Sequence, residues 1–204
     1  MRAPRALRTT IAAALLLVTT AGPAVAGDSP FGDEAAPWPA EFDEYTTADG
    51  NPISDDADNN PGYSDLYAGA AANLPSVYVS SDGDNVFFRI RVRSDPTSRN
   101  GGFNSTSWLV SIAVDGVQAA VVGLNGKPSS SDFVYTSNSD GSTVREIYTT
   151  PFTNDGSGTS FGARAIEAPD EGWFVDFQVP IAQITAVAPA VTGSSPIQLF
   201  YGTS

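Results

Sequence analysis

The chain has 204 residues, 23 of them acidic and 10 basic, with a formal net charge of −13 and neither histidine nor cysteine. That composition excludes Ser–His–Asp and Cys–His catalysis, every histidine-ligated zinc, copper or iron site, and any disulfide. The acidic balance also argues against nucleic acid and anionic membrane surfaces, both of which call for a cationic face.

In chain order, the first 26 residues have the three parts of a secretory signal. Arg2, Arg5 and Arg8 form a basic start, Ile11 to Val18 an apolar run, and Ala24 to Ala26 ("AVA") a cleavage site. The apolar run is too short for a membrane span of roughly 20 residues. The expectation is export by the general route, to the cell surface or beyond, with no membrane insertion after cleavage; an uncleaved anchor is the alternative. Cleavage after Ala26 leaves 7 basic and 23 acidic residues, a net charge of −16.

From Gly27 to Asp65 there are 11 acidic residues and no basic one, and Pro30, Pro37, Pro39, Pro52 and Pro61 break any long regular element. Phe31, Trp38, Phe42 and Tyr45 are too irregularly spaced for a helical stripe. This segment, 27–65, reads as an acidic, Pro-rich leader, either lying partly against the following domain or disordered.

From residue 66 to 204 the texture changes to short alternating or β-branched runs: "SVYVSS", "NVFFRIRV", "SWLVSIAVD", "VQAAVVGL", "DFVYTS", "REIYTT", "ARAIEA", "WFVDFQVP" and "IQLFYG". Turn clusters such as "DGDN", "NSDGS" and "PDEG" separate them. The pattern predicts an all-β protein, an antiparallel β-sandwich of jelly-roll-like type, in one domain. Only "SDLYAGAA" (Ser64 to Ala71) and "PIAQIT" (Pro180 to Thr185) read as short helices. Alternation places Val86, Phe88, Ile90 and Val92 on one core stripe. Trp108, Val110, Ile112 and Val114 form a second, and Trp173, Val175, Phe177 and Val179 a third.

The opposite face of "NVFFRIRV" and its next residue carries Phe87, Arg89, Arg91 and Arg93. Burying unpaired guanidinium groups costs several kcal/mol each, so this face must be wet or matched by acids. Asp176 and Gln178, outward on "WFVDFQVP", are the expected match if that strand pairs nearby; a hydroxyl-rich or acidic glycan and the acidic leader are the other candidate partners. Arg89, Arg91 and Asp176 are therefore the candidate ligand-binding residues. If the arginines only cap an exposed face, Arg91→Ala costs about 1 kcal/mol or less.

"LPSVYVSSDGDNVFFRIRVRSDP", followed by "SWLVSIAVDG" and "EGWFVDFQVPIAQI", resembles the carbohydrate-binding-module-9-like and DOMON-like β-sandwiches of exported bacterial proteins. The nearer resemblance is to uncharacterised surface modules with a last strand like "PIQLFYGTS". It covers about residues 64 to 204 and implies a jelly-roll-like sandwich, often one module of a longer secreted or surface protein. The end of the chain on a strand fits the first part of such a protein. The resemblance transfers no sugar site, because Trp108 and Trp173 fall on core stripes. Haem as in some DOMON domains is not expected, since there is no His and the one Met is the initiator.

Asp56, Asp58 and Asn60 have the alternate spacing of a calcium loop that Asp65 could close. Pro61 stands where an EF-hand needs Gly, so any such site is of another type, and a solvated acidic loop is the plainer reading. No other cofactor is expected. "SDGDN" (Ser81 to Asn85) reads as a hairpin turn. "NST" at Asn104 matches a glycosylation sequon, discounted because the signal peptide looks bacterial. Glu146, Glu167, Asp170, Glu171 and Asp176 are the acids available for a carboxylate glycosidase.

Three functional classes follow: an exported non-catalytic module that binds a glycan or surface protein, a structural or adhesive module without a small ligand, and a carboxylate-dependent hydrolase. The absence of His, Cys and any catalytic motif favours the first two. The signal pattern makes one direct prediction. N-terminal sequencing of the exported protein is expected to begin at Gly27, and an intact Met1 chain in the cytosol would overturn it.

Overall fold

The computed structural model describes residues 36–47, 49–53, 61–69, 74–97, 102–127, 132–150, 162–192 and 195–204. Residues 1–26, read above as a secretory signal, and Asp56, Asp58 and Asn60 of the expected calcium loop lie outside the described residues. Ten strands form an antiparallel β-sandwich: β1 (Asp43–Glu44), β2 (Val77–Ser81), β3 (Asn85–Val92), β4 (Ser107–Val114), β5 (Val117–Asn125), β6 (Asp132–Asn138), β7 (Val144–Thr150), β8 (Ala163–Glu167), β9 (Trp173–Pro180) and β10 (Ile197–Thr203). The first sheet has the order β1-β2-β3-β9-β8 and the second β10-β4-β5-β6-β7. The chain passes between the sheets after β3, after β7 and again after β9.

Nine of the ten strands coincide with the alternating runs of the sequence, because period-2 alternation is the pattern a half-buried strand requires. The turns agree with it. Asp115 (φ 50) and Gly116 (φ 79) both have positive φ in the two-residue β4–β5 connection, the backbone that a tight hairpin demands and that Asp-Gly supplies readily. In the β2–β3 turn the Asp82 carboxylate accepts from the backbone N–H groups of Asp84 and Asn85.

The inward faces are those that alternation assigns. Phe88 pairs with Phe177, Ile90 with Val175 and Val86 with Val179 across β3 and β9. The Phe88 and Phe177 rings lie 5.3 Å apart. Facing them are Trp108, Val110 and Ile112 of β4, Val122 and Leu124 of β5, and Val134 of β6, all buried. Each such side chain contributes roughly 1.5–3 kcal/mol on burial. Trp108 donates its indole N–H to the Tyr63 carbonyl at 3.1 Å, which removes the penalty of burying that polar atom. Trp173, at the end of β9, is half-buried against the same core.

The helix expected at the end of β9 is present as α1 (Ile181–Val187), with Ile184 turned into the core. The one expected over Ser64 to Ala71 is not, over its described part Ser64 to Gly69. A 3-10 turn occupies Gly62–Ser64; beyond it, Leu66 bridges Val92 and the Tyr67 N–H donates to the Arg91 carbonyl. Pairing with the end of β3 satisfies this backbone in extended form, and Gly69 then turns the chain at φ 78. A tertiary partner has overridden a weak local preference.

The leader is not wholly detached. Asp43 and Glu44 pair with Val79 and Tyr78 at the open edge of β2. Tyr45 enters the core, and its hydroxyl accepts the Leu199 N–H at 3.0 Å. Phe88→Ala, which opens a cavity between the sheets, is expected to destabilise by about 3–5 kcal/mol. Val117→Ser, at a position 71% exposed, is expected to stay within about 0.5 kcal/mol. Equal midpoint shifts for the two in urea unfolding would contradict the assigned faces.

Candidate functional site

The arginine row lies on the outer face of the first sheet, beside outward residues of β9 and β8. Register places Asp176 of β9 between Arg89 of β3 and Arg164 of β8. The Asp176 carboxylate is fully buried. Arg89 Nε reaches Oδ1 at 2.8 Å, Arg89 NH2 reaches Oδ2 at 2.8 Å, and Arg164 Nε reaches Oδ2 at 2.8 Å. A buried carboxylate held by three charge-assisted hydrogen bonds is a strong local anchor. The expected match between Arg89 and Asp176 is thus present, and Arg164 is a third member that the reading of the strands did not supply.

Arg91 differs from the expectation of a capped, exposed face. It is only 2% exposed. Its Nε donates to the Pro75 carbonyl at 3.0 Å, NH1 to Asp170 Oδ1 at 2.6 Å and to the Glu171 carbonyl, and NH2 to the Tyr78 hydroxyl at 3.1 Å and Asp170 Oδ2 at 3.3 Å. All five donors of the guanidinium are matched, which makes burial of the charge tolerable. Arg93 sits at the rim, 3.0 Å from the buried Asp65 carboxylate and over the Tyr67 ring. Asp65, considered as a calcium-loop ligand, is therefore ion-paired to Arg93.

Aromatic rings cover the guanidinium planes. Arg89 lies between Phe42 (4.0 Å to the centroid) and Phe174 (4.4 Å), Arg91 over Phe174 (4.6 Å), and Arg164 over Trp38 (4.4 Å). Tyr78 meets Phe174 edge-on. Two of these rings, Trp38 and Phe42, come from the leader, and Trp38 also covers Phe87. Phe87 shares the arginine face, and this contact explains its burial. The fully buried Gln178 side chain fastens the strap: its Oε1 accepts the Ala36 N–H at 2.7 Å and its Nε2 donates to the Ala36 carbonyl at 2.9 Å. The arginine row thus meets both the neighbouring strand and the leader, one supplying charge and the other rings.

The remaining acids are dispersed. Glu146 is on the outer face of the second sheet, where it pairs in register with Tyr135. Asp170 and Glu171 lie in the β8–β9 turn, where Glu171 accepts from the Tyr67 hydroxyl, and Glu167 is exposed at the end of β8. Among the described residues no group of three or more metal-ligating side chains converges, and no helix is long and apolar enough to cross a membrane. Two open depressions, each about 700 Å³, flank the sandwich, one between the β2–β3 turn and α1, the other between the 3-10 turn and β10. Neither contains the arginine row. No protein-family model, curated protein or solved structure matches this chain significantly.

Sequence reasoning missed the cage around Arg91, whose partners are spread over the chain. It weighed the leader as a partner without finding its contacts. The available signal was complementarity: aromatic residues in a segment without a positive charge, and three arginines on one strand face.

Asp176→Ala is expected to cost about 3–5 kcal/mol, because it strands the largely buried Arg89 and Arg164, and Arg91→Ala about 2 kcal/mol or more, because it leaves the Pro75 and Glu171 carbonyls without their donor. A loss below about 1 kcal/mol in urea unfolding would mean that the face is solvated. The Arg91 hydrogen bond holds the Asp170 carboxyl below its ordinary value. That pair therefore contributes stability above the unfolded carboxylate pKa of about 4 and loses it as pH falls through the lower, folded value. Asp170→Asn is expected to be less stable than the parent at neutral pH and to converge on it in strong acid. A gap that does not change with pH would assign the effect to shape instead of charge.

Proposed function

We propose that the chain is an exported, non-catalytic β-sandwich module that binds at the cell surface or in the extracellular space. The observation that supports this reading is the contrast between its two outer faces. On the first sheet, the arginines and acids are engaged with one another under the leader strap. On the second, Phe133, Tyr135 and Phe200 stand outward, and Phe200 is 41% exposed. One face braces a rigid scaffold and the other is left for contact.

The carboxylate-hydrolase alternative requires two acids across a cleft at a fixed separation. The positions of Glu146 on one sheet and of Asp170, Glu171 and Asp176 on the other weigh against it. A structural or adhesive role without a small ligand draws support from the strap itself, which stiffens the module without disulfides.

The mature protein is expected to bind saturably to a bacterial cell-envelope fraction and to release no reducing sugar from polysaccharides over hours. Absence of saturable retention would overturn the binding role. Release of reducing ends that Glu146→Gln abolishes would replace it with a hydrolase.

A further inference from the structure

We propose that the outer face of the second sheet is where two copies of this chain associate, face to face, about a two-fold axis running along β5. The inference goes beyond the binding role above and does not rest on it. β5 is the central strand of the order β10-β4-β5-β6-β7. One row across the sheet runs Gly202, Leu109, Gly123, Tyr135, Glu146, and the next runs Phe200, Ser111, Val121, Ser137, Val144. Apart from Glu146 at the edge, large and small residues alternate along each row, and the two rows are out of step.

The large residues close over the gaps. A Cβ on Gly123 would lie 3.1 Å from Tyr135 Cε1, so that ring leans across β5. A Cβ on Gly202 would lie 3.5 Å from Leu109 Cδ1, so Leu109 leans across β10. Phe133 supports Tyr135 edge-on, with centroids 6.0 Å apart, and Ser137, between Val121 and Val144, is buried. The result is a flat, largely apolar layer. Phe200 and Val144, at its two edges, stay exposed, Val144 to 55%. A helix docks in a groove and an extended peptide on an open strand edge. A flat sheet face suits another sheet, packed about 10 Å away with the strands within about 30° of each other.

The face is complementary to itself. An axis along β5 lays β10 of one copy over β7 of the other and leaves each row opposite its own counterpart. Phe200 then meets Val144 and Leu109 meets Tyr135, each pair occurring twice as two-fold symmetry requires, and Val121 meets Val121 at the centre. Glu146 falls opposite Gly202 at the rim. It is the one charged residue among the described outward positions of these five strands. Charge favours this face over any other: bodies of net charge −13 repel each other, and they approach most closely where each presents least charge. Pairing edge to edge is a poorer route. The Leu199 N–H on β10 is already taken by the Tyr45 hydroxyl, and β7 carries Arg145 and Glu146 beside a register shift. Five strands of seven residues give a footprint of roughly 24 by 23 Å, or 550 Å² per copy. Doubled, this is about 1,100 Å², the lower end of specific interfaces, so the dimer is reversible and forms in the micromolar range.

The experiment is sedimentation-velocity ultracentrifugation of the mature protein from about 1 to 500 µM. The parent is expected to pass from monomer to dimer across that range. Raising sodium chloride from about 50 to 500 mM screens the repulsion and is expected to strengthen the dimer. Phe200→Asp and Val144→Asp, both at exposed positions, should each weaken dimerisation about tenfold or more, with circular dichroism and melting temperature as controls for folding. Val117→Asp is the control for position. Val117 is more exposed still, but it pairs in register with Val114, which packs against the core, and so belongs to the other side of the sheet. That variant should dimerise as the parent does. A parent that stays monomeric up to about 500 µM would overturn the proposal. So would a dimer that both face variants leave intact, one that Val117→Asp disrupts equally, or one that salt dissociates. A monomeric parent whose retention on the envelope fraction falls with Phe200→Asp would give the face to an envelope partner, which ends the self-association and leaves the binding role standing. A dimer without envelope retention would sustain this interface and remove only the binding role.

Discussion

The Asp176 carboxylate is fully out of water, and an isolated charge there would destabilise the fold by several kcal/mol. Arg89 takes both of its oxygens and Arg164 takes one of them again. This arrangement orients the guanidinium groups, and their planes then become the surface on which Phe174 and the leader rings Phe42 and Trp38 rest. The charge pair and the lid depend on each other. Without the carboxylate the arginines have no reason to lie flat, and without the rings the pair would be open to water and correspondingly weak.

Arginine is required in these positions, and lysine would not substitute. A planar guanidinium can donate in its plane to a carboxylate and stack above that plane on an aromatic ring, whereas an ammonium has no plane to offer. Arg91 extends the principle, with five donors matched and one face against Phe174. The result is a second packed layer outside the sandwich, built from charge and rings in place of aliphatic side chains. It gives a cysteine-free chain a brace of the kind that small exported domains often obtain from disulfides.

The strands and their buried faces were legible in the sequence because alternation is a local signal: Trp108, Val110 and Ile112 can be assigned inward from their own neighbours. The strap was not legible in the same way. Trp38, Phe42 and Tyr45 follow no period, since the chain over them is neither helix nor long strand and each ring fits a separate site. The burial of Arg91 was hidden for a different reason. Its partners at Pro75, Tyr78, Asp170 and Glu171 lie 13 to 80 residues away, and only the folded chain brings them together. Charge counting predicted that Arg89 needs an acid and pointed to Asp176, but could not show that Arg164 shares it. The outward rings Phe133 and Tyr135 were not legible as a feature, because in "DFVYTS" alternation marks a strand without saying which face is left open.

The order in which the chain is made adds a kinetic dimension to the strap. Ala36 is held by Gln178, 142 residues later, and the Tyr45 hydroxyl by Leu199, 154 residues later. A chain that emerges from its amino end presents the leader first and the groups that fasten it last. Until β9 and β10 have appeared, Ala36 and Tyr45 lack these fastenings, although β1 can already pair with β2. Contacts of such long sequence separation are also the slowest to close. Fastening of the leader at Ala36 and Tyr45 is therefore expected to be completed late, once β9 and β10 are in place. In the interval before it docks, its uniform negative charge keeps neighbouring unfinished chains from associating through the same rings.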